Sequence, residues 1–268
     1  MPTISYVCLI YKSVKWLEFV YNNFKKHTKL NEGDEFYFVA NDACDEVLKY
    51  LENHKINHYI HNNTEEQRKE WYINNVYRAW NTGGRKAKGE YIIFLNSDMS
   101  FSPGWSTSLI ENIDDTKCIN SRLIERGPPH GLSTMQGGHG IEKSFGDNYE
   151  NYNEEEFLKF AEQVKQPTLY PNGLYMPMIL KKDHLEQIGY YPEGNIDIET
   201  WGKIINSDPK DFKIIPHTYT TPEQVYKQGK ECIPGDKVLT YKLSKIGVYH
   251  YTDFNSIVYH FQQGEMNE

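Results

Sequence analysis

Residues 79–105 read AWNTGGRKAKGEYIIFLNSDMSFSPGW, and at their centre Tyr91-Ile92-Ile93-Phe94-Leu95 is an unbroken apolar run. Bounded by Gly89 on one side and Asn96-Ser97-Asp98 on the other, the run predicts a strand buried on both faces, as in parallel sheets covered by helices. Such a strand delivers Asn96, Ser97 and Asp98 to its C-terminal end, and Ser102-Pro103-Gly104 predicts the turn that follows. Open α/β sheets bind ligands beyond the carboxyl ends of their strands. A carboxylate at Asp98 could hold a hard divalent cation that clamps a diphosphate. Capping of the turn or of a following helix is the competing role for it.

Outward from that strand, the first 120 residues alternate between the two periodicities. Ile4 to Tyr11 is an apolar strand pattern, followed by Val14, Leu17, Val20, Tyr21 and Phe24 at helical spacing. Glu35 to Ala40 (EFYFVA) predicts a second strand closed by the turn Asn41-Asp42-Ala43, and Val47, Leu48 and Leu51 mark the next helix. His58 to Ile60 reads as a short strand, and a helix carrying Trp71, Val76 and Trp80 is expected to break at Gly83-Gly84. This βαβ alternation predicts a Rossmann-like α/β fold, a mostly parallel central sheet flanked by helices. Tyr11, Asn41 and Asp42 join residues 96–98 as the groups just past strand ends. An Asx turn is the alternative for Asn41-Asp42.

The remainder is less regular. Arg126 to Asp147 is rich in glycine and proline and reads as a long loop, a connection or a flap over a bound ligand. Helices are expected over Glu154 to Val164, Lys182 to Gly189 and Val238 to Ile246, with strand-like pieces at Leu174 to Leu180 and Ser256 to Phe261. No repeat or linker interrupts the chain, so residues 1–268 are expected to form a single compact domain.

Composition narrows the function classes. Lysine and arginine number 29 against 37 acids, a net charge of -8, which argues against a nucleic-acid partner. No apolar stretch approaches the roughly 20 residues of a transmembrane helix, and the N-terminus lacks a signal peptide's basic region. Cys8, Cys44, Cys118 and Cys232 are scattered without a CxxC pair, which predicts reduced thiols and a cytoplasmic setting. GxGxxG and GxxxxGK[ST] loops are absent, against a dinucleotide dehydrogenase or a P-loop kinase.

The run from Asn81 through A-x-G-E-Y-I-x-F-L-N-S-D to Pro103-Gly104-Trp105 resembles the signature of family 2 glycosyltransferases of the GT-A fold. The resemblance implies an inverting transfer of a sugar from a nucleotide-sugar donor, UDP-linked by default, to a hydroxyl of a glycan or other acceptor, as in polysaccharide biosynthesis. Residues 1–120 would bind the nucleotide sugar and residues 121–268 form the acceptor side. It further implies that Asn96-Ser97-Asp98 stands for the family's DxD-type motif, with asparagine for the first acid, so that Mn²⁺ or Mg²⁺ falls to Asp98. Tyr11, Asn41 and Asp42 would then hold the nucleoside, and Asn81 and Arg85 would flank base and diphosphate.

Two C-terminal stretches extend the resemblance. CIPGDKVLTYKLSKIG, residues 232–247, is similar to the segment in which an acid before a helix acts as general base, a role it would give to Asp236; Gly235 stands where the family usually has a second acid. Asp197 and Glu199 form a rival pair, and a helix N-cap is Asp236's other reading. SIVYHFQQGE, residues 256–265, looks like the closing segment that places a histidine near the metal, which would be His260, with His250 as competitor. A catalytically inactive sugar-nucleotide or glycan-binding module and, more remotely, a nucleotidyltransferase remain the alternatives.

Overall fold

The computed structural model describes residues 2–127, 139–196, 235–262 and 264. Strand β1 (Ile4–Ile10) is buried along its whole length and pairs in parallel with β2 (Glu35–Asn41) on one side and β4 (Tyr91–Leu95) on the other. Strand β3 (His58–His61) extends this parallel half at the sheet edge. Helices α1 (Val14–His27), α2 (Asp45–Asn53), the short α3 (Glu65–Arg68) and α4 (Ile73–Lys86) lie between these strands in sequence. The chain runs outward from β1 to β3 and then returns to β4 on the opposite side of β1. The C-terminal ends of β1 and β4 are therefore a topological switch point, the crevice in which α/β sheets bind ligands.

Beyond β4 the sheet becomes mixed. Strand β9 (Met178–Lys181) lies antiparallel between β4 and β6 (Lys117–Glu125), while β10 (Tyr249–His260) runs parallel to β6. Strand β5 (Met99–Phe101) closes the far edge antiparallel to β10, giving the order β3-β2-β1-β4-β9-β6-β10-β5. Two short pieces, β7 (Ile141–Glu142) and β8 (Leu169–Pro171), pair with β6 and β10. Helices α5 (Trp105–Asn112), α6 (Glu154–Val164), α7 (Lys182–Gln187) and α8 (Gly235–Lys245) complete the single domain. The whole is the α/β fold, with a curled, mostly parallel sheet, that the sequence predicts.

Each side chain of β4 is buried, as its unbroken apolar run requires. Burying a large apolar side chain contributes roughly 1.5–3 kcal/mol, so β4 is anchored firmly enough to fix the residues at its end. A second core gathers Trp16, Phe145, Phe157, Tyr259 and Phe261 where α1, α6 and β10 meet. Several of the chain's tyrosines and phenylalanines are packing material there, and Trp16 meets Phe261 edge-on at 5.1 Å.

One sequence expectation is corrected. Helix α4 starts after Trp71 and runs unbroken through Gly83-Gly84. A Cβ on Gly83 would lie 2.3 Å from Val7 Cγ1 and 2.9 Å from Val39 Cγ2, so glycine lets the helix press against β1 and β2. The Tyr37 hydroxyl donates to Gly83 O at 2.8 Å and fastens the same contact.

Candidate functional site

The end of β4 is tied to the end of β10 by strand register. Met99 of β5 pairs opposite His260, the last residue of β10, which sets the preceding Asp98 beside that histidine. His260 Nε2 lies 3.5 Å from Asp98 Oδ1. Asp98 is fixed from two further directions: Phe261 N donates to its carbonyl at 3.0 Å, and Gly264 N to its Oδ2 at 3.0 Å. A Cβ on Gly264 would meet Trp16 at 2.6 Å and Asp98 Cβ at 2.7 Å, so only glycine passes between them. Oδ1 is left facing the histidine.

On the other side of the ring, His260 Nδ1 lies 2.9 Å from Oε1 of Glu125, the last residue of β6 and the parallel register partner of His260. Glu125 is buried, and nothing in the sequence around it marks it as a site residue. Burial alone would lower the pKa of His260. The Asp98 and Glu125 carboxylates outweigh it and raise the value to about 10. Burial likewise works to raise the pKa of Asp98, but His260 and the Gly264 amide hold it below the usual carboxylate range. The competitor His250 pairs with Cys118 at the opposite end of β10 and stacks on Tyr175 with centroids 5.4 Å apart. The structure brings His260, not His250, to Asp98.

A second polar cluster sits past the ends of β2 and β3. Asn63 N donates to Asp42 Oδ1 at 2.9 Å, and Asn63 Nδ2 donates to Asp42 Oδ2 at 2.8 Å and to Asn41 Oδ1 at 3.1 Å. Arg68 adds an ion pair to Asp42 at 2.6 Å. Burial works against the charged form of Asp42, but Arg68 and Asn63 hold its carboxyl below the ordinary range. Asp42 is therefore held by partners from beyond β3 rather than by its own turn, and its φ of 48° fixes the bend. Sequence reasoning missed Asn63 and Arg68, although the capping box Thr64-Glu65-Glu66-Gln67 signals the helix that carries Arg68. Tyr11 follows β1 directly, with Lys12 Nζ 4.5 Å over its ring.

Asn81 and Arg85 lie on α4, and their described partners are in the loop after α7. Asn81 Oδ1 accepts from Tyr191 N at 3.0 Å, while Nδ2 donates to Tyr191 O and Glu193 Oε1 at 3.0 and 2.9 Å. Arg85 pairs with the same Glu193 at 3.0 Å and lies over the Tyr190 ring. Both residues clamp this loop onto α4. Asn96 and Ser97 follow β4 as expected, Ser97 buried and Asn96 partly open. Asp236 is in the first turn of α8, its Oδ1 accepting from Lys237 N at 2.8 Å. Asp197 and Glu199 lie outside the described residues.

Among the described residues, no group of three or more His, Cys, Asp or Glu side chains is arranged to hold a metal ion. No described helix is long and apolar enough to cross a membrane.

Comparison with known proteins places this geometry. Glycosyl transferase family 2 matches residues 9–155, more than half of the chain. No curated protein matches the chain in sequence. Among solved structures, GalNAc-T7 with UDP, GalNAc and Mn²⁺ aligns with a TM-score of 0.56 at 14% identity, covering 97% of this chain and 44% of that one. The mannosyltransferase PcManGT from Pyrobaculum calidifontis, in complex with GDP-Man and Mn²⁺, aligns at 0.53 and 12% identity, covering 97% and 56%. The chain thus spans about half the length of these two proteins and shares their GT-A fold. With the family's match running from β1 through Asp98 into α6, the chain belongs to glycosyl transferase family 2.

Proposed function

We propose that this glycosyltransferase moves a sugar from a nucleotide-sugar donor, UDP-linked, to a hydroxyl of a glycan or other acceptor, with inversion and with Mn²⁺ or Mg²⁺. The carrying observation is the pairing of Asp98 with His260 at the switch point, one oxygen and one nitrogen donor 3.5 Å apart. Metal bonds of about 2 Å allow one cation to touch both. The donor set suits the group, because hard divalent cations accept carboxylate and imidazole and complete their shell with diphosphate oxygens and water. When bound, the cation supplies the positive charge that a departing diphosphate needs.

The chain's own residues then divide the work. Asn41, the last residue of β2, with Asp42 and Tyr11 just past the ends of β2 and β1, binds the nucleoside, with Asn63 and Arg68 fixing Asp42. Asn96, Ser97 and Asp98 face the diphosphate end. Asn81 and Arg85 support the donor side through the loop they clamp. Asp236 removes the proton from the attacking hydroxyl, as an inverting displacement requires. Gly235 beside it fits this reading, because a Cβ there would lie 2.7 Å from the Tyr77 ring and 3.1 Å from Pro192. Packing accounts for the missing second acid at that position. The buried thiols of Cys8 and Cys118 fit a reducing compartment, and we place the reaction in the cytoplasm, in polysaccharide synthesis.

The reading is tested by turnover of a panel of nucleotide sugars with Mn²⁺, comparing wild type with Asp236→Asn. Transfer should fall by about 10²–10⁴-fold, the usual contribution of a general base, while nucleotide affinity stays unchanged. An Asp236→Asn enzyme of normal rate would return the base to Asp197 or Glu199.

A further inference from the structure

We propose that Glu125 is a positioning residue for the cation site: it holds Nδ1 of His260 so that Nε2 is the nitrogen presented beside Asp98. The inference rests on the Asp98–His260 reading above and extends it to a residue that no sequence motif marks.

The geometry has three parts. Glu125 and His260 are register partners at the last positions of two parallel strands, so their side chains leave the sheet together. The Glu125 backbone is locked on both sides, paired with β10 and with Glu142 of β7, and its carbonyl accepts from Lys143 N at 2.8 Å. Its carboxylate therefore stays where the strands put it, 2.9 Å from Nδ1. Finally, Glu125 Oε2 is buried and has no hydrogen-bond partner among the described residues.

A buried carboxylate with an unsatisfied oxygen is costly, and packing alone would be better served by an apolar side chain. The histidine explains its presence. A carboxylate accepts from Nδ1, so Nδ1 keeps its proton and Nε2 is the nitrogen that gives up its own to a cation. The two ring nitrogens point to opposite edges of the imidazole, so Glu125 orients the ligand and does not share the cation with Asp98. Carboxylates behind metal-bound histidines have this role generally, and their loss weakens metal binding by about 10–100-fold.

The test uses Mn²⁺ alone, titrated into the protein and followed by water-proton relaxation, in wild type, E125Q, E125A, D98A, H260A and the E125A/H260A double variant. Metal-free melting curves establish that each variant is folded, with the near-isosteric E125Q as the variant least disturbing to packing. We expect E125A to bind Mn²⁺ about 10–100-fold more weakly, and E125A to add nothing in the H260A background, because Glu125 acts through that ring. In the Mg²⁺-loaded wild type, ¹⁵N shifts of His260 should show a protonated Nδ1 and an unprotonated Nε2, a state that E125Q no longer enforces. Wild-type affinity in E125A alongside lost binding in D98A would overturn the role of Glu125 and leave the site standing. An E125A effect of equal size with and without His260 would also overturn it. Wild-type binding in D98A would instead overturn the site itself.

Discussion

The ring of Tyr77 occupies the space that a side chain at Gly235 would need: a Cβ there would stand 2.7 Å from both Cδ2 and Cε2. Tyr77 is stacked on Tyr191 at 5.1 Å with an interplanar angle of 7°, so it has no room to retreat. Restoring an acid with Gly235→Asp should therefore destabilise the fold by about 1–3 kcal/mol, the usual cost of overpacking. Urea unfolding measures the loss, and a variant of unchanged stability would show that the ring yields.

Asn81 is a structural clamp on the loop after α7. Asn81→Ala strips partners from Tyr191 N and O, two buried backbone groups that cost about 1–3 kcal/mol each when unmet. The unfolding free energy should fall by that order, and nucleotide affinity of the folded fraction should fall only as far as the loosened loop weakens the donor side. A variant of full stability with lost nucleotide affinity would assign Asn81 to the donor.

Asp42 gives the fold a defined acid sensitivity. Its folded carboxyl is held below the ordinary value by Arg68 and Asn63, against the opposing pull of burial. Its contribution to stability is thus complete above the unfolded value of about 3.9 and fades as pH falls through the lower folded one. The stability gap between wild type and Asp42→Asn should be widest near neutrality and shrink below about pH 4, read from unfolding midpoints across that range. A gap that widens on acidification would reverse the sign of this coupling.

How far the sequence carries can be seen at individual residues. Strand β4 and Asp98 are legible because an apolar run buried on both faces has one simple solution, and whatever follows it sits at the sheet's binding edge. Gly83-Gly84 misleads because glycine marks a helix end and a tight helix–sheet contact with the same letter. Val7, 76 positions upstream, decides between them. Glu125 is silent in sequence: it is one acid in a strand, and its meaning comes from register with a histidine 135 residues away. Asn63 and Arg68 are intermediate, since the capping box predicts the helix that carries Arg68 and follows Asn63, but only the fold brings them to Asp42.

The site at Asp98 and His260 is what the functional account depends on. Its most direct measurement is sugar transfer from a nucleotide-sugar donor by wild type and Asp98→Ala, each with Mn²⁺ and again in EDTA. The account predicts that wild type turns over only with the metal, and that Asp98→Ala, folded by its melting curve, is inactive in both conditions. Full wild-type activity in EDTA, or undiminished activity in Asp98→Ala, would contradict it.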